Sequence, residues 1–251
     1  MNLILIDPDE ISPEGTVSLA DRRAQHLREV IDVQVGQELR AGVVRGPRAA
    51  ACVLSLGPPI VLGLTLGGEV EIPSVDLVLA LPRPKALSRI VQAAASFGVR
   101  RIDIINTWRV DASYFASPKL STEALALDAR LGCEQGQITY VPEVSIHRLF
   151  VPYVEQVLGP RLQQEPGRRL VVAHPHAAVA VEAVLAPGWK LPTAIAIGPD
   201  GGFVERELAS LESIGGSIAH FGSAILRSES AVVAILSQLD LLRRLVRQGD
   251  Q

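Results

Sequence analysis

The sequence predicts an α/β protein: a parallel sheet covered by helices on both faces, preceded by a small β-rich unit. Three observations carry that expectation. Up to about Leu66 the chain alternates apolar and polar residues in short, glycine-punctuated stretches such as "VQVGQELRAGVVRGPRAAACVLSL", the period of strands with one buried face. From "VDLVLALP" onward, continuous apolar runs of strand length alternate with helical patterns, as buried parallel strands and their crossover helices do. Between the two, "LGGEVEIPSV" with Gly67, Gly68 and Pro73 reads as a linker, dividing the chain into units over 1–68 and 73–247. A chain of 251 residues with 48% hydrophobic content has the length and the apolar residues for both.

In the first unit, "SLADRRAQHLREVI" interrupts the strand pattern. Leu19, Leu27, Val30 and Ile31 fall near helical spacing, Ser18 is placed to cap, and arginines take the other face. In the second unit "VDLVLALP" is the first buried strand, and "KALSRIVQAAASFGV" follows as a helix stopped by Gly98. "RIDIIN", "RLVVAH", "TAIAIG" and "GSIAHF" are the further strands, separated by helical segments at 121–135, 146–158, 177–185 and 204–213. The last helix spans 229–246. In such a sheet ligands bind beyond the carboxyl ends of the strands.

Composition narrows the function. A formal net charge of -3 argues against a protein that coats nucleic acid by positive charge alone, while leaving room for a local patch. Lysine occurs only at Lys85, Lys119 and Lys190, so all but three of the 24 basic residues are arginine, the side chain suited to bidentate phosphate contacts and base stacking. Apolar runs such as "VVAIL" fall far short of a membrane span, and "MNLILIDPDE" has no basic segment before its apolar run. A cytoplasmic protein without a membrane partner is expected. Cys52 and Cys133 lack metal-like spacing and read as buried thiols, not a disulfide.

Three strand ends carry unusual residues: "AHPH" at 173–176, "IGPDGGF" at 197–203 and "FGSAILRSESA" at 221–231. "GPDGG" is a turn, yet one glycine would serve the turn, and the second lets backbone press against a ligand. Asp200 weighs against a phosphate cradle, and neither G-x-G-x-x-G nor G-x-x-x-x-G-K-[ST] occurs where a nucleotide fold needs it. A cationic or hydroxyl-rich ligand fits better. In the third stretch Ser228 can cap the last helix with Glu229 in its first turn. Apolar Ile225 and Leu226 beside Arg227 then suggest an adenine-sized pocket with a charged rim. His174 and His176 have no third ligand nearby, so no metal is expected. Pro175 between them ends the strand and leaves its backbone groups facing a ligand. No nucleophile–histidine set with recognisable local context occurs.

With these motifs in view the sequence resembles, over nearly its whole length, the RsmE family of 16S ribosomal RNA (uracil-N3)-methyltransferases in the SPOUT superfamily. "IGPDGGF" is similar to that family's I-G-P-E-G-G-F, and "FGSAILRSESA" to its L-G-x-R-I-L-R-T-E-T-A, in the same order before a C-terminal helix. "HLREV", "KALSRIVQAAASFGVRRI" and "EQG" at 134–136 agree with further family segments. The resemblance implies a SPOUT-type parallel sheet with a C-terminal trefoil knot, an exception to the unknotted rule, and a PUA-like RNA-binding domain at the N-terminus. It further implies a homodimer, a ribosomal RNA or small-subunit partner, and S-adenosyl-L-methionine as methyl donor.

The donor site carried over onto this chain uses three loops. The first gives Ala173, His174 and Pro175, and the second Ile197, Gly198, Pro199, Asp200, Gly201 and Gly202. The third gives Phe221, Gly222, Ile225, Leu226, Ser228, Ser230 and Ala231. Arg227 is expected to stabilise charge on the uracil or grip a phosphate, and Glu229 to orient Arg227 or accept the proton. Arg22, Arg23, Arg28 and Arg45 are the expected phosphate contacts. Ala224 stands where the family has arginine, Asp200 where it has glutamate, Ser228 and Ser230 where it has threonines, and Phe97 where it has glutamate. The arginine–tryptophan pair expected near Lys119 is absent. Ala224 and Phe97 motivate a second reading, a non-catalytic RNA-binding or ribosome-assembly protein; a third is a knotted methyltransferase acting on another RNA.

Overall fold

The computed structural model describes residues 2–70, 72–185 and 193–249, so Glu71 of the expected linker lies outside the described residues. Five strands build an N-terminal sheet: β1 (Ile4–Ile6), β2 (Thr16–Leu19), β3 (Glu38–Val43), β4 (Arg48–Ser55) and β5 (Ile60–Gly67), in the order β1-β3-β4-β5-β2. β1 runs parallel to β3 and the other pairs are antiparallel. Ile6, Leu19, Leu27, Val53, Ile60 and Leu62 fill its core. Ser18 is not a helix cap, because the strand period extends through it: Val17 and Leu19 point inward on β2 while Ser18 pairs with Val61. The helix α1 (Arg22–His26) starts four residues after Ser18, capped by Asp21, whose side chain accepts from the Arg23 N–H.

Six parallel strands build the second sheet, in the order β11-β9-β10-β6-β7-β8. They are β6 (Val75–Ala80), β7 (Arg101–Ile105), β8 (Glu143–His147), β9 (Arg169–Ala173), β10 (Thr193–Ile197) and β11 (Gly216–Ala219). Helices α2 (Pro84–Ser96), α3 (Thr122–Gly136), α4 (Phe150–Tyr153), α5 (Gly159–Gln164), α6 (Val181–Leu185), α7 (Glu205–Ser213) and α8 (Ser228–Gly249) lie between and after them. β6 explains why its sequence is continuously apolar from Leu77 to Ala80. Leu77 and Leu79 pack toward α2, α3 and α8, and Val78 and Ala80 pack toward α5 and α7. Full burial of each such leucine is worth about 1.5–3 kcal/mol.

Two sequence expectations change here. The stretch 146–158 is not one helix. β8 takes Glu143–His147 by parallel pairing with β7, and α4 begins at Phe150. The period-2 pattern was present in "EVSIH": Val144 and Ile146 pack on the core while the residues between them do not. The expected helix 177–185 shortens to α6, because Val179 and Val181 exchange backbone hydrogen bonds with His220 beyond β11.

Charged clusters brace the end of the sheet opposite the strand carboxyl ends. Asp76, 1% exposed, is held by Arg100 at 2.7 Å and Arg168 at 3.0 Å, and Glu165 joins both arginines. The two sheets meet along α3: Leu3 and Leu5 of the first pack on Ala95 and Cys133 of the second. Burial pushes the Cys133 thiol up to about 12, and both cysteines are free, so Cys133 is an inert packing group. No described helix is long and apolar enough to cross a membrane.

Candidate functional site

β9, β10 and β11 are neighbours, and the loops leaving their carboxyl ends converge on one cleft. Every residue expected to hold the donor lines it except Gly201 and Ser230. Ala224, Ala234 and Ile235 line it as well; the last two follow Ala231 at helical spacing along α8, a signal the sequence already carried. One wall is apolar loop: Ile225 is 72% exposed and Leu226 44%, so both offer aliphatic surface to a flat apolar group. Asp200 is the one carboxylate lining the cleft among the described residues, and neither lysine nor arginine lines it. That donor set suits a ligand with an apolar ring system and a cationic centre, and is wrong for a polyphosphate.

The second loop is built by its own contacts. Gly202 takes φ +72° and its N–H closes a turn on the Pro199 carbonyl at 2.7 Å, so a side chain there would be strained. The Gly201 carbonyl instead accepts a hydrogen bond from Arg109 outside the cleft, and a Cβ on Gly201 would lie 2.9 Å from Arg109 Cδ. The second glycine therefore serves close packing of Arg109, not contact with a ligand. Asp200 ties the loop to its neighbours: Oδ1 accepts from the Ser228 hydroxyl at 3.1 Å, and Oδ2 pairs with Arg83 Nε at 3.3 Å. Because Asp200 and Arg83 are largely exposed, the hydroxyl bond contributes more to loop order than the ion pair. Ser228→Ala should weaken donor binding about fivefold, the value of about 1 kcal/mol for one such bond, measurable by calorimetry.

Arg227 is exposed between Leu226 and Ser228, both of which line the cleft, and has no ion-pair partner among the described residues. Glu229 does not orient it. Its carboxylate pairs with Arg89 of α2 at 3.1 Å, on the face of α8 turned from the cleft, and Ser230 lines that same face. One residue step along a helix turns a side chain by about 100°, which removes Glu229 and Ser230 together. His174 lies at the cleft edge with its ring 5.9 Å from His176. Among the described residues no group of three or more His, Cys, Asp or Glu side chains could hold a metal ion.

The four arginines expected to meet RNA separate. Arg23 is 4% exposed, and its guanidinium bonds Glu10, Asp21 and the Leu5 carbonyl, so it is a core group of the N-terminal sheet. Burial opposes its charge, but the bonds to Glu10 and Asp21 outweigh that and raise its pKa. Arg22 makes two bonds to the buried Glu134 of α3, at 2.9 and 2.6 Å, and braces the two sheets against each other. Neither is free to bind phosphate. Arg28 and Arg45 are exposed, anchored by the Gly57 and Val141 carbonyls respectively. "EQG" thereby acquires a structural role at Glu134, which also lies 3.7 Å from Arg130.

A parallel α/β sheet with a cleft beyond the carboxyl ends of neighbouring strands is the arrangement of an α/β ligand-binding enzyme. The sequence model of the RNA methyltransferase domain matches residues 70–240, and the chain belongs to that family. It is 25% identical over 241 residues to "Ribosomal RNA small subunit methyltransferase E" of Treponema pallidum, covering 93% of this chain and 88% of that protein. It is 24% identical over 237 residues to "Ribosomal RNA small subunit methyltransferase E 1" of Borreliella burgdorferi, covering 93% and 95%. Its fold is similar to the crystal structure of a ribosomal RNA small subunit methyltransferase E from Neisseria gonorrhoeae bound to S-adenosyl methionine. There the TM-score is 0.79 at 17% identity, over 96% of this chain and 98% of that one.

Proposed function

We propose that this enzyme transfers a methyl group from S-adenosylmethionine to N3 of a uridine in 16S small-subunit ribosomal RNA, in the cytoplasm. The observation that carries this reading is the convergence of three loops on a cleft with an aliphatic wall, one carboxylate and, among the described residues, neither lysine nor arginine. The small-subunit relatives support the substrate. The bound donor supplies an electrophilic methyl carried on a sulfonium. The chain's own residues would hold it: Ile225 and Leu226 would cover its flat part, and Asp200, fixed by Ser228, would offset its positive charge.

At the acceptor, the N3–H proton would pass to solvent water, the freed N3 electron pair would form the N3–carbon bond, and the sulfur–carbon pair would return to sulfur, leaving a neutral thioether. Arg227 stabilises the negative charge that develops on the uracil oxygens. Because N3 lies on the pairing edge, the base must be unpaired or flipped. The unit over 1–68, read as PUA-like, holds the RNA, with Arg28 and Arg45 contacting phosphate. The unit over 73–247 carries the transfer site, its chain threaded as a trefoil knot. The return of β11 to the far side of β9, followed by α8 crossing to α2, supports that threading. A homodimer through α2 and α8 is supported by exposed Phe97, Val233 and Leu241 and by Leu226, which borders both that face and the cleft.

His174 adds a pH signature. Burial lowers its pKa below the ordinary 6.5, and the His176 charge adds to the effect, so the imidazole is neutral at neutral pH. Protonation would set a cation beside the sulfonium. Donor affinity is therefore expected to be flat at and above neutral pH and to fall as pH drops through a pKa below 6.5. His174→Gln should remove the fall in a calorimetric pH series. The reading as a whole is tested by titrating S-adenosylmethionine into the protein and then following labelled methyl into unmodified small-subunit RNA. Binding with incorporation supports it; no binding favours the non-catalytic alternative.

A further inference from the structure

A second groove borders the donor cleft. It runs between the loop after β7 and the start of α7, meets the cleft at His174, and measures about 1330 Å³. That exceeds the about 300–1,000 Å³ of a small-molecule pocket and suits a length of polymer. Trp108 lines it at 81% exposure, the most exposed of the large hydrophobic residues described.

The display of Trp108 is built, not incidental. Glu207 on α7 is 6% exposed, and one of its oxygens accepts the Trp108 backbone N–H at 2.6 Å while the other accepts the Val204 N–H at 2.9 Å. Next along the chain, Arg109 grips the Gly201 carbonyl, so the loop carrying Trp108 is fixed to the loop that walls the donor cleft. Beneath them Thr107 is 4% exposed, and its hydroxyl has no hydrogen-bond partner among the described residues. A buried, unpartnered hydroxyl just behind a groove wall calls for a partner, and a small opening of the wall would bring it to a ligand's polar edge. Of the two acidic groups in the wall, Glu207 is occupied by backbone, which leaves Glu205 against Arg109 and Arg206.

From this geometry, and resting on the function proposed above, we infer that the groove receives single-stranded RNA flanking the methylated nucleotide. Trp108 stacks on an unpaired base, Arg206 meets a phosphate, and the Thr107 hydroxyl bonds a base edge or a 2′-hydroxyl. Stacking on an exposed aromatic tolerates any base, so this contact supplies affinity and placement, not choice of sequence. Trp108 is a positioning residue: it sets how the strand enters while Arg227 acts at the reacting base.

The test uses the full chain and deproteinised, unmodified small-subunit RNA. Trp108→Ala is expected to weaken RNA binding about tenfold and to raise KM for RNA with kcat and donor affinity nearly unchanged. Trp108→Phe should restore most of the loss. RNA should quench tryptophan fluorescence in the wild type more than in Trp108→Phe, where Trp189 remains. Thr107→Val, a near-isosteric change, should raise the KM about fivefold, the value of one hydrogen bond. RNA affinity unchanged in Trp108→Ala, or identical quenching in the two proteins, overturns the inference, as a groove that binds protein instead would. If wild type binds RNA through Trp108 but incorporates no methyl, the proposed function fails while the groove's contact with RNA stands.

Discussion

Arg227→Ala is expected to abolish methyl transfer while leaving affinity for S-adenosylmethionine within about twofold. Removing one preorganised group that meets developing charge costs about 10²–10³ in kcat. Arg227 is free to act in this way: it is exposed, sits between two cleft residues and has no ion-pair partner among the described residues. It does not line the cleft itself, so the donor should not register its loss. Arg227→Lys, which keeps the charge and loses the fork, should fall between the two. Labelled-methyl incorporation beside calorimetry separates the effects, and wild-type activity in the alanine variant would remove Arg227 from the mechanism.

The second large effect is on stability. Glu134, 2% exposed, receives Arg22 from the N-terminal sheet and Arg130 from its own helix. Arg130 in turn bonds the Leu5 carbonyl and pairs with Asp7 at 2.7 Å, so one cluster holds both sheets. Removing one partner of a fully buried pair costs about 3–5 kcal/mol. Here the arginines keep some water contact, and Glu134→Ala should cost about 2–3 kcal/mol, lowering the melting temperature by about 5–10 °C. RNA binding should weaken with it, because the sheet carrying Arg28 and Arg45 loses its fixed position against the cleft. Donor binding in the folded protein should not change. A melting curve identical to wild type would show that Glu134 does not help to hold the sheets together.

The particular residues show what was legible in the sequence and why. β6 and β10 were readable because strands covered on both faces are apolar along nearly their whole length, with Asp76 and Thr193 as the polar exceptions near their starts. The three cleft loops were readable because strand ends enriched in glycine and proline announce turns, and Asp200 already argued against phosphate. β8 was not, because its two core residues alternate with Glu143, Ser145 and His147 and then run into an apolar helix start, so the longer helical pattern won.

Side-chain partnerships were the least legible. Arg23 looked like a surface arginine until Glu10 and Asp21 enclosed it, and Glu229 looked like a partner for Arg227 until α2 placed Arg89 beside it. Arg109 reaches Gly201 across 92 positions, and Glu207 reaches Trp108 across 99, distances over which no local pattern carries information. The loop motif "GPDGGF" borders the cleft at Gly198, Pro199, Asp200 and Gly202. Its second glycine answers to Arg109, and its aspartate to Ser228.

The most direct measurement maps the methyl group. Protein, S-adenosylmethionine and unmodified small-subunit RNA are incubated together, and the digested RNA is resolved by mass spectrometry. N3-methyluridine is expected at a single position, and is expected to be absent when Arg227→Ala replaces the wild type. Methyl on a ribose, on another base, or on transfer RNA in place of the small-subunit RNA would contradict it.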